Sequence, residues 1–512
     1  MSGSSDTLSN TLGDKLRIQM EGALFEAVQL AGVFPDSKTF VDSVPKDSPE
    51  RILRLYEVLK DESGFDLKMF VLEHFDLPQP AHVDAELKLD SSSLETYIES
   101  LWFRLRREAE EVDEHGTLIA LEHPYIVPGG RFGEIYYWDS YFTFLGLIEA
   151  GHLSRVEEMV QNFVGLQRRL ELIPNGNRHY FASRSQPPFL ALMLRLLWDK
   201  KVRFLDKEVG LEFLQTYTPA LERERDFWLV PDRLSVLTGG QLLNHYWDAV
   251  ATPRQEAYKE DVELAKNAAD PATLYRHIRA GAESGWDFSS RWLRESQDLS
   301  TIHTADILPV DLNCLLYVLE ETLADFYGKL GDAEQQARYE ADAKTRKSAI
   351  QDVFWNEVEG FYFDFDTTTD AQTEVFSLAA VMPLFVGIAT QEQASSVRDI
   401  IMTRFLKVGG LVTTLTETGQ QWDAPNGWAP LQWLAIQGLR SYDFEDDARE
   451  VARRWLTMIR ERFAVDKKLL EKYDVANPDK TAGGGEYGVQ EGFGWTNGVT
   501  LKLLKLYGDV LG

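Results

Sequence analysis

A single cysteine, Cys314, stands in the whole chain, which excludes an intrachain disulfide and any cysteine-based metal site. It lies in the apolar run Leu312 to Leu319, and with no bridge to preserve, a reducing compartment fits. Other catalytic inventories are missing as well. There is no His-Glu-x-x-His helix, no phosphate loop and no Gly-x-Ser-x-Gly elbow, and the nine histidines are scattered. Neither a metal nor a cofactor is expected. No stretch reaches the roughly 20 uninterrupted apolar residues that a membrane-spanning helix needs. The N-terminus, Met1 to Lys15, is rich in Ser, Thr, Asp and Asn and lacks the basic start and apolar stretch of a secretory signal. The cytoplasm is therefore the expected location. Basic residues are scarce, 53 against 82 acidic, and the net charge of −29 repels phosphate backbones and anionic lipid surfaces. Neither nucleic acid nor a membrane is expected as a partner, and a monomer that meets a small-molecule substrate is expected.

What is present is an ordinary globular balance, 44% hydrophobic and 26% charged, so a large buried core is expected. Aromatics reach 12%, with 13 Trp and 19 Tyr, many of them beside Gly, Pro, Asp or Arg and not inside apolar stripes. Rings so placed suit a sugar cleft, because an aromatic face covers the C–H face of a pyranose while the polar edge keeps a hydrogen-bonding partner. The chain is read as a flexible tail over residues 1–20 and a single catalytic domain over 21–512. Residues from about 21 to 90 form a wrapping extension of that domain, broken by Pro and Asp turns. Helical patterns dominate beyond it. Ser92 and Glu95 have capping-box spacing and precede Leu94, Tyr97, Ile98, Leu101 and Leu105 at helical intervals. Leu312, Leu315, Leu316, Leu319, Leu323 and Phe326 share one helix face. Roughly a dozen such helices and little strand alternation give an all-α fold, although periodicity alone does not separate a barrel from a bundle or solenoid.

Five loops concentrate residues that a core does not need. The first, Val127 to Tyr141, brings Arg131, Trp138 and Asp139 next to glycines that let backbone approach a ligand; the alternative is an Arg–Asp pair closing a helix start. The second holds the Pro174-Asn175-Gly176 turn and Arg184 and Gln186 beside Pro187 and Pro188. The third, Pro253-Arg254-Gln255-Glu256, also reads as a charged first helical turn. In the fourth, Asp287 lies between Trp286 and Phe288, and a carboxyl pressed against rings loses solvation, which raises its pKa toward that of a general acid; Glu283 is a rival, and a helix cap is the plain alternative. The fifth joins Gln420 to Pro430 with Glu471-Lys472-Tyr473 and Gly483-Gly484-Gly485-Glu486, where three glycines suggest a lid or a linker and Glu471-Lys472 alone would pass for a surface pair. Carboxylates, arginines and aromatics suit glycoside hydrolysis, in which an acid protonates the leaving oxygen while a base activates water on the opposite face.

Pro128-Gly129-Gly130-Arg131-Phe132-x-Glu134-x-Tyr136-x-Trp138-Asp139-x-Tyr141 and Gln421-Trp422-Asp423-x-Pro425-Asn426-Gly427-Trp428-x-Pro430 resemble the two diagnostic stretches of the trehalases of glycoside hydrolase family 37. Asp36 to Asp42, Ser284-Gly285-Trp286-Asp287, Glu471-Lys472-Tyr473 and Gly494 to Gly498 follow in the same order, so the resemblance runs from about residue 34 to the C-terminus. It implies an (α/α)6 barrel that hydrolyses α,α-trehalose with inversion, Asp287 being general acid and Glu471 general base. It also implies a sugar pocket formed by Arg131, Phe132, Trp138, Asp139, Asn175, Arg184, Gln186, Arg254, Glu256, Gly285, Trp422 and Glu486. Two rivals stay open: a related barrel glycosidase acting on another small glucoside or mannoside, and a trehalose-binding protein without catalysis.

Overall fold

Burial sorts twelve helices of the computed structural model, which describes residues 16–78, 89–111 and 113–508, into an inner and an outer set, leaving aside those of the N-terminal extension and two loop helices, Tyr258–Leu264 and Pro271–Glu283. In chain order they are α1 (Leu94–Arg104), α2 (Tyr137–Glu149), α3 (Leu153–Leu170), α4 (Leu190–Lys200), α5 (Lys207–Trp228), α6 (Val310–Leu330), α7 (Ala333–Phe354), α8 (Met382–Phe385), α9 (Gln391–Ile400), α10 (Ala429–Ser441), α11 (Glu445–Asp466) and α12 (Gly494–Tyr507). The even-numbered helices form the inner ring. In α2 every residue from Tyr137 to Leu147 is buried, and in α6 every residue from Val310 to Glu320, as a helix enclosed on all sides requires. The odd-numbered helices bury one stripe: α11 hides Ala448, Val451, Ala452, Trp455, Leu456, Ile459 and Phe463 and gives its other face to solvent. These six inner–outer pairs are the expected (α/α)6 barrel. The stripe anticipated on α6 is present, but over its first half it is only part of a fully buried surface, because α6 has neighbours on every side.

The inner ring closes where α12 meets α2. A Cβ on Gly146 would lie 2.5 Å from the Gly498 Cα, so two facing glycines let the helix backbones touch. Ser93, and not Ser92, caps α1: its extended backbone lets its Oγ accept from Thr96 N at 3.1 Å, while Glu95 adds negative charge to the first turn.

The N-terminal extension carries short helices and a second apolar cluster, in which Leu24, Phe25, Phe40, Val41 and Ile52 meet Tyr136, Tyr180 and Phe181 of the barrel loops. Residues 1–15 of the expected tail lie outside the described residues. Ile18 and Gln19 are already buried, and the Gln19 amide donates to the Ser43 and His115 carbonyls at 3.3 and 2.7 Å. A buried charge cluster fastens the wrap to the barrel. Lys38 pairs with Asp42 and, at 2.8 Å, with Glu134, and Arg178 pairs with Glu134 at 2.7 Å. The strands are two or three residues long and pair between loops. Asn426–Trp428 pairs antiparallel with Lys472–Asp474, Trp428 opposite Lys472, which sets Glu471 beside the tryptophan loop.

Candidate active site

The loops that lead into the inner helices surround a cavity of about 110 Å³. Every pocket residue implied by the resemblance lines it, together with Asp287. Trp138 and Asp139 stand in the first turn of α2, Trp428 caps α10, and Phe493 and Trp495 begin α12, so the positive ends of inner-helix dipoles face the cavity. Trp422 stacks on Trp428 at 4.0 Å and on Trp286 at 5.4 Å, with Trp138 and Trp495 at its edge, which makes a rigid aromatic wall.

Gly285 turns the chain toward Asp287 with φ +74°, and a Cβ there would sit 2.8 Å from the Trp138 indole. Gly285→Ala is expected to cost about 1–3 kcal/mol through left-handed strain and displacement of Trp138. Thermal melting and KM read the two effects, and a variant unchanged in both would show that Trp138 yields freely.

Asp287 caps nothing, since Ser289 accepts from Arg291 N at the following turn. Its carboxyl is pushed up to about 7, first by burial and then by Glu486, with Arg254 and Arg184 pulling the other way. Glu283, the rival, is wholly buried off the cavity wall and accepts from Ser185 N, Trp247 N and Arg233 at 2.7–2.8 Å. It serves to pin the loop that presents Arg184 and Gln186. Arg131 is not paired with Asp139. It lies 3.6 Å from Asp36 and 4.9 Å over the Tyr487 ring. Asp139, buried and joined to Gln186, is pushed up to about 8 by burial, with Asp287 and Glu471 adding to it. Arg184 pairs with Glu256 at 2.7 Å and keeps Nε and Nη1 without a hydrogen-bond partner. Glu256 is held low despite burial by Arg184, Arg254 and Arg279.

Glu471 is no surface residue: both it and Lys472 are completely buried, 3.7 Å apart. It is also the one proposed residue that is not on the cavity wall. It is fully buried, its carbonyl accepting from the Trp495 indole at 2.9 Å, and neither carboxylate oxygen has a hydrogen-bond partner. Burial pushes it up to about 7, Lys472 and Arg131 oppose this, and Asp287 adds to it. The glycine loop folds over the site. Gly483 and Gly484 carbonyls accept from Asn426 and Lys472, and Glu486 pairs with Arg254 at 2.7 Å. Sequence reading missed Asp36, Ser37 and Lys38, which the wrap contributes to the cavity, and Tyr487, Phe493 and Trp495. Their signal was available: the first three lie in the matched Asp36 to Asp42 stretch, Trp495 lies in the matched Gly494 to Gly498 stretch with Phe493 beside it, and Tyr487 follows Glu486.

Aromatic walls, guanidinium donors and desolvated carboxylates on an (α/α)6 barrel define a glycoside hydrolase. The trehalase family model matches residues 32–508, and the chain belongs to that family. It is 46% identical over 497 residues to the periplasmic trehalases of Salmonella paratyphi B and Salmonella agona, covering 95% of this chain and 85% of each relative. Among solved structures it is similar to the neutral trehalase of Saccharomyces cerevisiae, at 25% identity and a TM-score of 0.65, covering 90% of this chain and 85% of the other. The fold also matches a mannosylglycerate hydrolase from Thermus thermophilus, with 18% identity, a TM-score of 0.55 and coverage of 80% and 99%.

The expected cytoplasmic location is overturned by the periplasmic names of these relatives. Absence of disulfides was a poor guide, because a chain with one buried thiol has nothing that an oxidising compartment must form or could damage. Among the described residues, no group of three or more His, Cys, Asp or Glu is arranged to hold a metal ion, and no helix is long and apolar enough to cross a membrane.

Proposed function

We propose that the chain hydrolyses α,α-trehalose to two glucose molecules with inversion, Asp287 donating a proton to the glycosidic oxygen and Glu471 activating the attacking water. The observation that carries this reading is a pair of buried carboxyls, both pushed up to about 7, one on the cavity wall and the other beside an ammonium. Asp287 stands on the cavity wall, where enclosure favours the protonated form needed in a donor. Glu471 is buried with both oxygens unpartnered, which pushes it up to about 7, and the ammonium 3.7 Å away opposes that rise, so that it ionises near neutrality and serves as a base. Inversion needs room for water between the carboxyls, a separation of about 6.5–9.5 Å. Arg131, Arg184 and Arg254 supply donors for hydroxyls, and the tryptophan wall covers the apolar sugar face.

Proton NMR of fresh product is the test. Attack on one anomeric carbon gives one β-glucose, while the leaving glucose keeps its α configuration; two α anomers would overturn the mechanism. Both carboxyls titrate at about 7, so kcat/KM should rise on the acid side as Glu471 ionises and fall on the alkaline side as Asp287 ionises, a bell centred near neutrality.

A further inference from the structure

Asp261 lies in the short helix Tyr258–Leu264, away from every motif and off the cavity wall, and is almost wholly buried. Among the described residues its carboxylate accepts from Arg254 alone. The Arg254 backbone N–H donates at 2.8 Å, Nε at 3.0 and 3.3 Å, and Nη2 at 2.6 Å. Nη2 also reaches Glu486 of the glycine loop at 2.7 Å, and the guanidinium lies 5.1 Å over the Phe288 ring, next to Asp287. With one guanidinium edge clamped, Nη1 is the donor left for a ligand. We infer that Asp261 is a positioning residue: by holding Arg254 at two points it fixes the donor that Arg254 offers to substrate and the distance of that positive charge from Asp287.

An arginine that only had to neutralise Glu486 would need no such clamp, since one carboxylate satisfies one guanidinium. A second, dedicated carboxylate across Nε and Nη2, the latter shared with Glu486, does two further things. It removes the side chain's freedom to swing toward Glu486 when the glycine loop moves, and it offsets charge that would otherwise act in full on the proton donor. The groups that bear on Asp287 are Glu486, which favours its acid form, and Arg254 and Arg184, which favour the anion. Asp139, Glu471, Lys472 and Tyr487 also feel its charge. Of the two arginines, Arg254 acts more strongly on Asp287.

The inference rests on Asp287 being the proton donor. Asp261→Asn, Arg254→Lys and the double variant should be compared with the unaltered chain for kcat and KM on trehalose from pH 5 to 9, with thermal melts alongside. D261N is expected to lower kcat/KM roughly 10–100-fold, mostly through KM. Its alkaline limb should move down by about half a pH unit or more, because the less compensated Arg254 charge favours the Asp287 anion. The double variant should be little worse than the poorer single, since both changes remove one clamp. A D261N protein that melts earlier but keeps its kcat/KM and its alkaline limb, or effects that simply add in the double variant, would overturn the inference. If D261N does not accumulate in folded form, Asp261→Glu replaces it. The charge is kept and the fork displaced, so the limb should stay while KM rises several-fold, and an unchanged KM would be decisive against the idea. Asp287→Asn, run in parallel, separates the two readings. Full turnover there ends the assignment of Asp287, whereas loss of turnover there with an unmoved D261N profile ends this inference alone.

Discussion

Asp287→Asn is expected to reduce kcat on trehalose by about 10³-fold while leaving KM within a few-fold. The amide keeps the shape of the carboxyl and the same contacts with the cavity, so binding in the ground state survives. What it cannot do is deliver a proton to the leaving oxygen, and an unprotonated glucose alkoxide is a poor leaving group. A substrate that needs no acid gives the sharper measurement. With α-glucosyl fluoride the leaving group departs as fluoride, and the loss should shrink by an order of magnitude or more. Equal losses on both substrates would mean that the substitution had disturbed the site and that Asp287 is not the donor. The alkaline limb should also vanish from what activity remains, since the group that titrates there to about 7 has been removed.

Much of this site could be read in the sequence because loops of this kind carry chemistry densely. Gly, Pro, Trp, Arg and acidic residues cluster where a helix-forming stripe stops, and the cavity is built from those clusters. The all-α class followed from helical spacing for a related reason: one helix's stripe is a local property. Closure into a barrel is not local. It depends on Gly146 and Gly498, which are 352 positions apart and unremarkable in either helix. From residue type alone, without the resemblance, the choice between Glu283 and Asp287 was out of reach, since it turns on backbone N–H groups of Ser185 and Trp247 that satisfy one carboxylate and leave the other to the cavity. The wrap was read as covering, yet Asp36 and Lys38 reach the site because Lys38 is fixed by Asp42 and Glu134. Asp261 had no signal of its own, because it stands seven residues beyond Arg254, in a short helix outside every loop that was singled out.

Glu471→Gln should lower kcat by about 10³-fold as well, for the opposite reason: a neutral amide accepts no proton from the attacking water. Here α-glucosyl fluoride offers no relief, because its hydrolysis still needs an activated water, and that contrast with Asp287→Asn assigns the two roles. Stability gives an independent reading. Glu471 is raised from 4.5 to about 7 in the folded chain, so the fold binds its proton more tightly than the unfolded chain does. The stability this confers is complete below about 4.5 and is lost as pH rises to about 7, a difference of roughly 3 kcal/mol at most. The amide of the E471Q variant does not titrate and escapes that loss, although above about 7 Lys472 loses the carboxylate 3.7 Å from its ammonium, which offsets part of the gain there. The variant's melting temperature relative to the unaltered chain should therefore climb between pH 5 and pH 8. A difference that stays flat across that range would place an ordinary, solvated carboxylate at position 471 and remove the basis for its role as the base.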